Sequence, residues 1–394
     1  MWPHSNYRHA LRNTGWILLF LIVIQVASAF LPEIEMTHGI AGYAPLHTIL
    51  EAFAIIISMM VFAVGWTTYD KGRPVSLVFL ATIFLGVGLI DILHVLSFVG
   101  MPDFITLNTP DKAINFWLAA RALDAFGLLV LVLWPWPASY LPTLRWKMLI
   151  TVLATVALVA WVNLFHVGWV PQSYIPGHGL TPFKIGIEYV LAGVFIFIAG
   201  ALLYQMRKPR EYDVVGLFSA VCIMAMSEIY FTLYGDFTDL FNLLGHIYKV
   251  IAYAFIYRGI FIASIRMPYG RLTESRNLLQ TVVDTIPLRI FWKDSESRLI
   301  GCNKAFALDL GVSRPQDVVG HKESELIQPD RAAAYRTEDT EVMSSGIPHV
   351  TLRKTSLRTS GEERWLRSSK IPLLDASQEP IGVLGVYDDV TEQV

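Results

Sequence analysis

Residues 46–66 read LHTILEAFAIIISMMVFAVGW. After His47 and Glu51 the run carries no ionisable side chain, and its 21 residues suit a helix crossing a hydrocarbon core about 30 Å thick. Seven further stretches of this kind surround it: Gly15–Leu31, Val75–Val99, Asn115–Trp134, Leu144–His166, Phe183–Met206, Asp213–Gly235 and Asp239–Ile265. Prolines punctuate the connectors, among them Pro32, Pro74, Pro102, Pro110, Pro137, Pro171 and Pro209. The pattern predicts eight transmembrane helices. Only 16% of the 394 residues are charged, against about 25% in a soluble average. The deficit is confined to residues 15–265, and ordinary charge density returns from Arg266. No basic run of the kind that binds nucleic acid exists, so nucleic acid is not an expected partner. Cys222 and Cys302 would lie in different compartments, which leaves no disulfide framework.

Lysine and arginine distribution orients the spans. Arg8, Arg12, Lys71, Arg73, Arg145, Lys147, Arg207, Lys208, Arg210, Arg266 and Arg271 fall on alternate connectors, whereas the opposite set holds Lys112 and, at a boundary, Lys184. Both termini are therefore expected on the cytoplasmic side, with the chain in the inner membrane. Ala27-Ser28-Ala29 after the first apolar run would also suit a cleaved signal peptide, although the run is long for one.

Ionisable residues inside spans are costly and point to function by default. Here they are His47, Glu51, Asp91, His94, Arg121, Asp124, Glu188, Glu228, His246 and Lys249. Four pairs among them are spaced i,i+3 or i,i+4, so each pair shares a helix face. At about 1.5 Å per residue nearly all lie within roughly 2–15 Å of the outer surface. A pocket reachable from outside is the simplest geometry. Its acids outnumber Arg121 and Lys249 by three, and an unbalanced buried anion takes up a proton or a cation. His47, Glu51, Asp91, His94 and His246 are the candidate metal ligands, with haem or another small ligand as alternatives. A purely structural salt-bridge network, an anchor, a transporter and a retinal Schiff base on Lys249 are the competing readings. Gly100 to Phe104, and the run from Thr109 to Phe116, are expected to cap this layer. Trp117, Trp161, Trp169 and Tyr174 are expected to be interfacial belt aromatics.

The motifs His47-x-x-x-Glu51, Asp91-x-x-His94, Gly100-Met101-Pro102 and Phe116-Trp117-x-x-x-Arg121, with the late Glu228 and His246, resemble the third class of bacterial membrane-associated sensor domains, the MASE group. The likeness runs from Leu46 to about Ile265. It implies a sensory input whose stimulus is undefined, preceding PAS domains and output enzymes of the diguanylate cyclase, phosphodiesterase or histidine kinase type.

Beyond the membrane, Pro268 is expected to break or bend the last span. Leu272, Leu279, Val282, Val283 and Ile286 then fall at roughly heptad spacing, the pattern of a short parallel coiled coil and hence a homodimer. Short strands follow at Leu288–Lys293, Ser297–Cys302, Val350–Arg358, Glu363–Leu374 and Ile381–Asp388, with helical stretches at Asn303–Leu310, Gln316–Leu326 and Pro329–Ser345. The order β-β-α-α-α-β-β-β predicts a five-stranded antiparallel sheet with helices on one face. The motifs Phe291-Trp292-Lys293-Asp294, Cys302-Asn303-Lys304-Ala305-Phe306 and Gly385 to Glu392 resemble a PAS domain. Asn303 is expected to cap the following helix, and Asp389 with Thr391 to pass signal onward. Cys302 precedes Asn303, whereas a flavin-reactive cysteine would follow it. His321 as a haem ligand is the weaker option, and no PAS ligand is expected.

The expected organisation is a cytoplasmic N-terminus (1–14), a membrane bundle (15–265), a linker helix (266–287) and a cytoplasmic α+β PAS domain (288–394). No cyclase, phosphodiesterase, phosphoacceptor or nucleotide-binding signature occurs, so an output domain is expected on sequence beyond Val394.

Overall fold

The computed structural model of the chain describes residues 4–30, 40, 42–70, 74–136, 142–208, 212–236, 238–356 and 363–393. The chain divides into two compact units, Met1–Tyr269 and Gly270–Val394.

Among the described residues, the first unit holds eight helices long and apolar enough to cross a membrane. They are α1 (Arg8–Ala29), α2 (Tyr43–Thr67), α3 (Val75–Leu96), α4 (Pro110–Leu133), α5 (Pro142–Phe165), α6 (Pro182–Gln205), α7 (Val214–Leu233) and α8 (Leu240–Phe261). Between α5 and α6 sits a small hairpin, β1 (Tyr174–Ile175) and β2 (Gly179–Leu180). Helices α2, α3, α4, α6, α7 and α8 pack in a closed circuit, each against the next, with α8 returning to α2. Helix α1 lies against α7, and α5 against α3 and α4. The division follows from the sequence. Past their first two turns α1 and α5 carry no ionisable residue and can face lipid on most sides, whereas every helix of the ring carries polar groups that must be turned away from it.

Helix α4 begins five residues before the expected Asn115, because Thr109 caps it and Pro110 occupies the first turn. The Thr109 hydroxyl accepts the Lys112 N–H at 3.2 Å. At the other end of the bundle Pro268 does not stop the chain. A five-residue π turn, Ile262–Arg266, follows α8, and α9 (Met267–Thr285) begins directly after it. A proline has no N–H for the usual i−4 bond, and a π turn is one way to absorb that defect.

The second unit has β3 (Arg289–Asp294), β4 (Leu299–Cys302), α10 (Lys304–Asp309), α11 (Glu323–Leu326), α12 (Pro329–Ser345), β5 (His349–Ser356), β6 (Glu363–Leu374) and β7 (Pro380–Asp389). The strands form one antiparallel sheet in the order β4-β3-β7-β6-β5. Phe291, Leu299, Cys302, Phe306, Ala307 and Val318 make its core. Ser360-Gly361, expected from the sequence as the turn between the third and fourth strands, lies outside the described residues. The helix expected over Gln316–Leu326 is a correction: only α11 and a 3₁₀ turn at Pro315–Asp317 form there. Gly320 adopts φ +91°, which ends any helix, and its N–H bonds the Leu299 carbonyl at 2.7 Å. The segment is thereby tied to β4 instead of coiling.

Candidate functional site

The polar residues of the ring meet inside it. One end of the cluster is a ladder of ion pairs. Lys249 Nζ lies 2.8 Å from Glu51 Oε2 and 3.0 Å from Asp91 Oδ2. Arg121 reaches Asp91 and Asp124, each at 3.3 Å, and the Tyr253 hydroxyl donates to Asp124 at 3.1 Å. The Arg121 guanidinium also sits 4.8 Å from the Trp117 ring and 5.3 Å from that of Tyr253. Three carboxylates face two permanent cations, so the ladder carries one excess negative charge.

The other end is a histidine cluster. His47, Glu51, His94 and His246 are buried and each offers a ligand atom within 4.8 Å of all the others. His94 Nδ1 is 2.8 Å from the Ala113 carbonyl oxygen. An oxygen acceptor there requires the proton on Nδ1, which leaves a lone pair on Nε2. That Nε2 faces His47 Nε2 at 3.3 Å. His246 Nδ1 lies 2.7 Å from Glu51 Oε1, so Glu51 joins the two ends of the cluster. Aromatic rings wall the histidines: Phe98 stacks on His47 at 4.1 Å, and Trp117 and Phe231 approach His246 at 5.0 and 5.1 Å. Gly245 permits this closure, since a Cβ there would lie 2.5 Å from the Phe231 ring. The residual cavity among these groups measures about 30 Å³.

The structure brings eight of the ten intramembrane candidates into two neighbouring groups and redistributes their roles. Asp91 is not among the converging ligands: its oxygens are taken by Arg121 and Lys249. Glu188 pairs with Lys184 at 3.0 Å, and Glu228, buried on α7, hydrogen-bonds with Glu188. Lys184, read from the sequence as a boundary residue, is fully buried and also donates to the Phe231 carbonyl. Five acids are thus offset by three cations, a smaller excess than the sequence suggested. Trp117, expected in the interfacial belt, is 4% exposed and belongs to the cluster, whereas Trp161 and Trp169 are exposed. Lys112 closes the outer cap, donating to the carbonyls of Phe104 and Thr106 at 2.7 and 3.0 Å.

The spacing of Trp117 and Tyr253 in the sequence groups them with the cluster. Trp117, Arg121 and Asp124 are spaced i, i+4, i+7, as are His246, Lys249 and Tyr253 at i, i+3, i+7, so each set lies on one helix face.

In the second unit Asn303 is fully buried; its Oδ1 accepts the Phe306 and Ile290 N–H groups at 3.0 and 3.1 Å. Its amide donates to the Leu288 and Val283 carbonyls. Asp389 accepts the Thr391 N–H at 3.1 Å and its hydroxyl at 2.5 Å, while Thr391 Oγ1 accepts the Trp365 N–H at 2.9 Å. The Thr391 bonds and the Arg364 guanidinium hold the Asp389 carboxyl down at about 2. His321 is exposed and paired with Glu325, away from the core, and burial pushes the Cys302 thiol up to about 12.

The fold and site describe a multi-pass membrane protein with an appended PAS domain. Comparison with known families matches residues 39–268 to the membrane-associated sensor domain MASE3 and residues 283–394 to the PAS fold. The chain belongs to the MASE3 family of membrane-associated sensor domains. The Escherichia coli aerobic respiration control sensor protein ArcB is 24% identical over 120 residues, 30% of this chain and 15% of that protein. Among solved structures, the PAS domain of Bordetella pertussis BvgS is 26% identical over 30% of this chain and 89% of its own, with a TM-score of 0.27. A PAS domain from Colwellia psychrerythraea is 17% identical over 30% and 98% respectively, with a TM-score of 0.26. The chain thus spans a small part of the curated relative and most of the isolated PAS domains.

Proposed function

We propose that this chain is the input half of a membrane sensor, and that the histidine cluster receives a first-row divalent transition-metal ion such as Zn²⁺ or Cu²⁺ from the external side. The observation that carries this reading is the convergence of three imidazoles and one carboxylate within 4.8 Å, beside a ladder with excess negative charge. Such N₃O sets suit Zn²⁺ and Cu²⁺. The Ala113 carbonyl supports it by fixing the tautomer in which His94 Nε2 is a ligand, as carbonyls behind metal-bound histidines do. A cavity of about 30 Å³ suits one ion and not a haem macrocycle.

Glu51 is the hinge of the mechanism. It is held by Lys249 and His246, both on α8. An ion that drew on Glu51 and His246 would leave Lys249 to Asp91 and displace α8, which leads through the π turn into α9. The lysine and arginine distribution supports an inner-membrane location with both ends cytoplasmic. The exposed Leu279 and Val282 on α9 support a homodimer, and the likeness to a sensor protein supports a downstream signalling partner. The rival reading is an anchor whose polar network only fixes packing, and the paired ladder favours it.

Metal analysis and Zn²⁺ or Cu²⁺ titration of the purified full chain, its His94→Ala variant and its His246→Ala variant separate the two. One ion per chain, with affinity reduced at least about a hundredfold in each variant, is expected. A folded protein that takes up neither ion, or variants that bind as well as the parent, would leave the anchor reading.

A further inference from the structure

We infer that Glu188 and Glu228 form a carboxyl–carboxylate pair that binds one proton inside the membrane unit, at a site separate from the histidine cluster. Thr181 caps α6 by accepting the Lys184 N–H at 3.3 Å, and Lys184 and Glu188 then lie one turn apart on the same face. The Lys184 ammonium donates to the Phe231 carbonyl, one of those at the end of α7 that no helical N–H serves. The lysine thus ties α6 to the end of α7, where Glu188 and Glu228 hydrogen-bond with one another. All three side chains are buried.

A hydrogen bond between two carboxyl groups needs a donor, and only a proton on one of them supplies it. Beyond the Lys184 ion pair at 3.0 Å, neither oxygen of Glu188 nor Oε2 of Glu228 receives a hydrogen bond from the described residues. The charges facing the pair lead to the same count. On α4, Arg121 is the next cation toward Glu228 and is committed to Asp91 and Asp124. On α8, His246 and Lys249 turn to Glu51, and Asp239 caps the helix by accepting the Asn242 N–H at 2.9 Å. Helix α1, also packed on α7, carries its ionisable residues Arg8, His9 and Arg12 only in its first two turns. Tyr234, just past α7, lays its ring 4.4 Å from the Lys184 ammonium. Two carboxylates against one ammonium leave one negative charge in excess, and buried carboxylates that share a site do not both stay ionised. The ammonium beside them repels a metal cation, which leaves the proton as the ligand.

A cavity of about 510 Å³ gives the proton a route. It lies between the β1–β2 hairpin and the adjoining ends of α6 and α7, lined by Gly179, Ile185, Thr232, Tyr234 and Asp236 among others. In the orientation proposed above this side is external. Tyr234 belongs both to the cavity wall and to the surroundings of Lys184, so one side chain separates the cavity from the triad. Loss of the proton sets two negative charges against each other across the α6–α7 contact, and α7 packs in turn on α8.

The test is infrared spectroscopy of the full chain in nanodiscs at neutral pH, with glutamate unlabelled or isotope-labelled at its side-chain carboxyl. A protonated-carboxyl C=O band is expected that shifts with the label, which assigns it to glutamate and not to Asp124. Glu188→Gln and Glu228→Gln should each remove the band while helical circular dichroism is kept, because the one remaining carboxylate then balances Lys184. Lys184→Met should keep it, since buried carboxyls without a cation need the proton more. Absence of a label-sensitive band from the parent chain, its persistence in both folded glutamine variants, its loss from folded Lys184→Met, or its loss on adding Na⁺ at constant pH would overturn the proposal.

Discussion

Two clusters of buried charge can be set side by side, one in the helix ring and one in the PAS unit. In the PAS unit a single carboxylate, Asp339, faces both Lys293 and Lys370, and Glu323 and Glu338 complete the set. Burial pulls the Lys293 ammonium down, but Glu323 and Asp339 more than offset it and hold the group above the usual lysine range. For Lys370 burial prevails over Asp339, and the neighbouring Lys293 charge pushes the same way. In the ring, the Arg121–Asp91–Lys249 ladder is closed in the same manner. The histidine end differs. There, ring nitrogens of three helices' side chains point toward one another, and the His94 lone pair is fixed by a carbonyl behind it. Charges paired with one another specify packing, whereas three imidazoles gathered around one carboxylate form the donor set on which the metal reading rests.

That contrast can be broken by paired variants. The largest stability effect is expected for Asp91→Asn, which strips Lys249 and Arg121 of a shared partner at a cost of about 3–5 kcal/mol, read by denaturation in detergent. Metal uptake should survive it. His94→Ala should do the reverse, and identical behaviour of the two variants would dissolve the distinction. Asp339→Asn should cost about 3 kcal/mol in the PAS unit, because two buried ammonium groups lose their shared counter-charge. Asn303→Ala removes a helix cap and the bonds to Ile290 and Leu288, an expected loss of about 1–2 kcal/mol in the same melting experiment. The smallest effect concerns pH. Asp389 has its carboxyl depressed to about 2, so its contribution is complete above the ordinary aspartate value of about 4 and is lost as pH falls toward 2. Acid melting curves of the parent and of Thr391→Val should therefore converge below that window and separate above it.

The fold was legible because its strongest signals are long. A run such as Leu46–Trp66 has one physical outcome, and the PAS strands stand out as short runs set off by turn residues. Short-range chemistry read less well. The helix expected over Gln316–Leu326 failed on one glycine whose φ is set by its bond to Leu299. In the site, residue types named the layer but not its pairings. Asp91 and His94 are three residues apart, yet one faces cations and the other imidazoles, because their neighbours come from different helices. Lys184 looked like a boundary residue because depth from a helix end does not say whether a side chain turns inward; its i,i+4 partner Glu188 was the available clue. Trp117, expected in the interfacial belt, turns inward for the same reason.

X-ray absorption at the metal edge tests the central claim most directly. The full chain loaded with Zn²⁺ is predicted to give a first shell of three imidazole nitrogens and one carboxylate oxygen at about 2.0–2.2 Å, with imidazole outer-shell scattering that falls by one ring in His94→Ala. A shell without imidazole scattering, or one unchanged in that variant, would contradict the account.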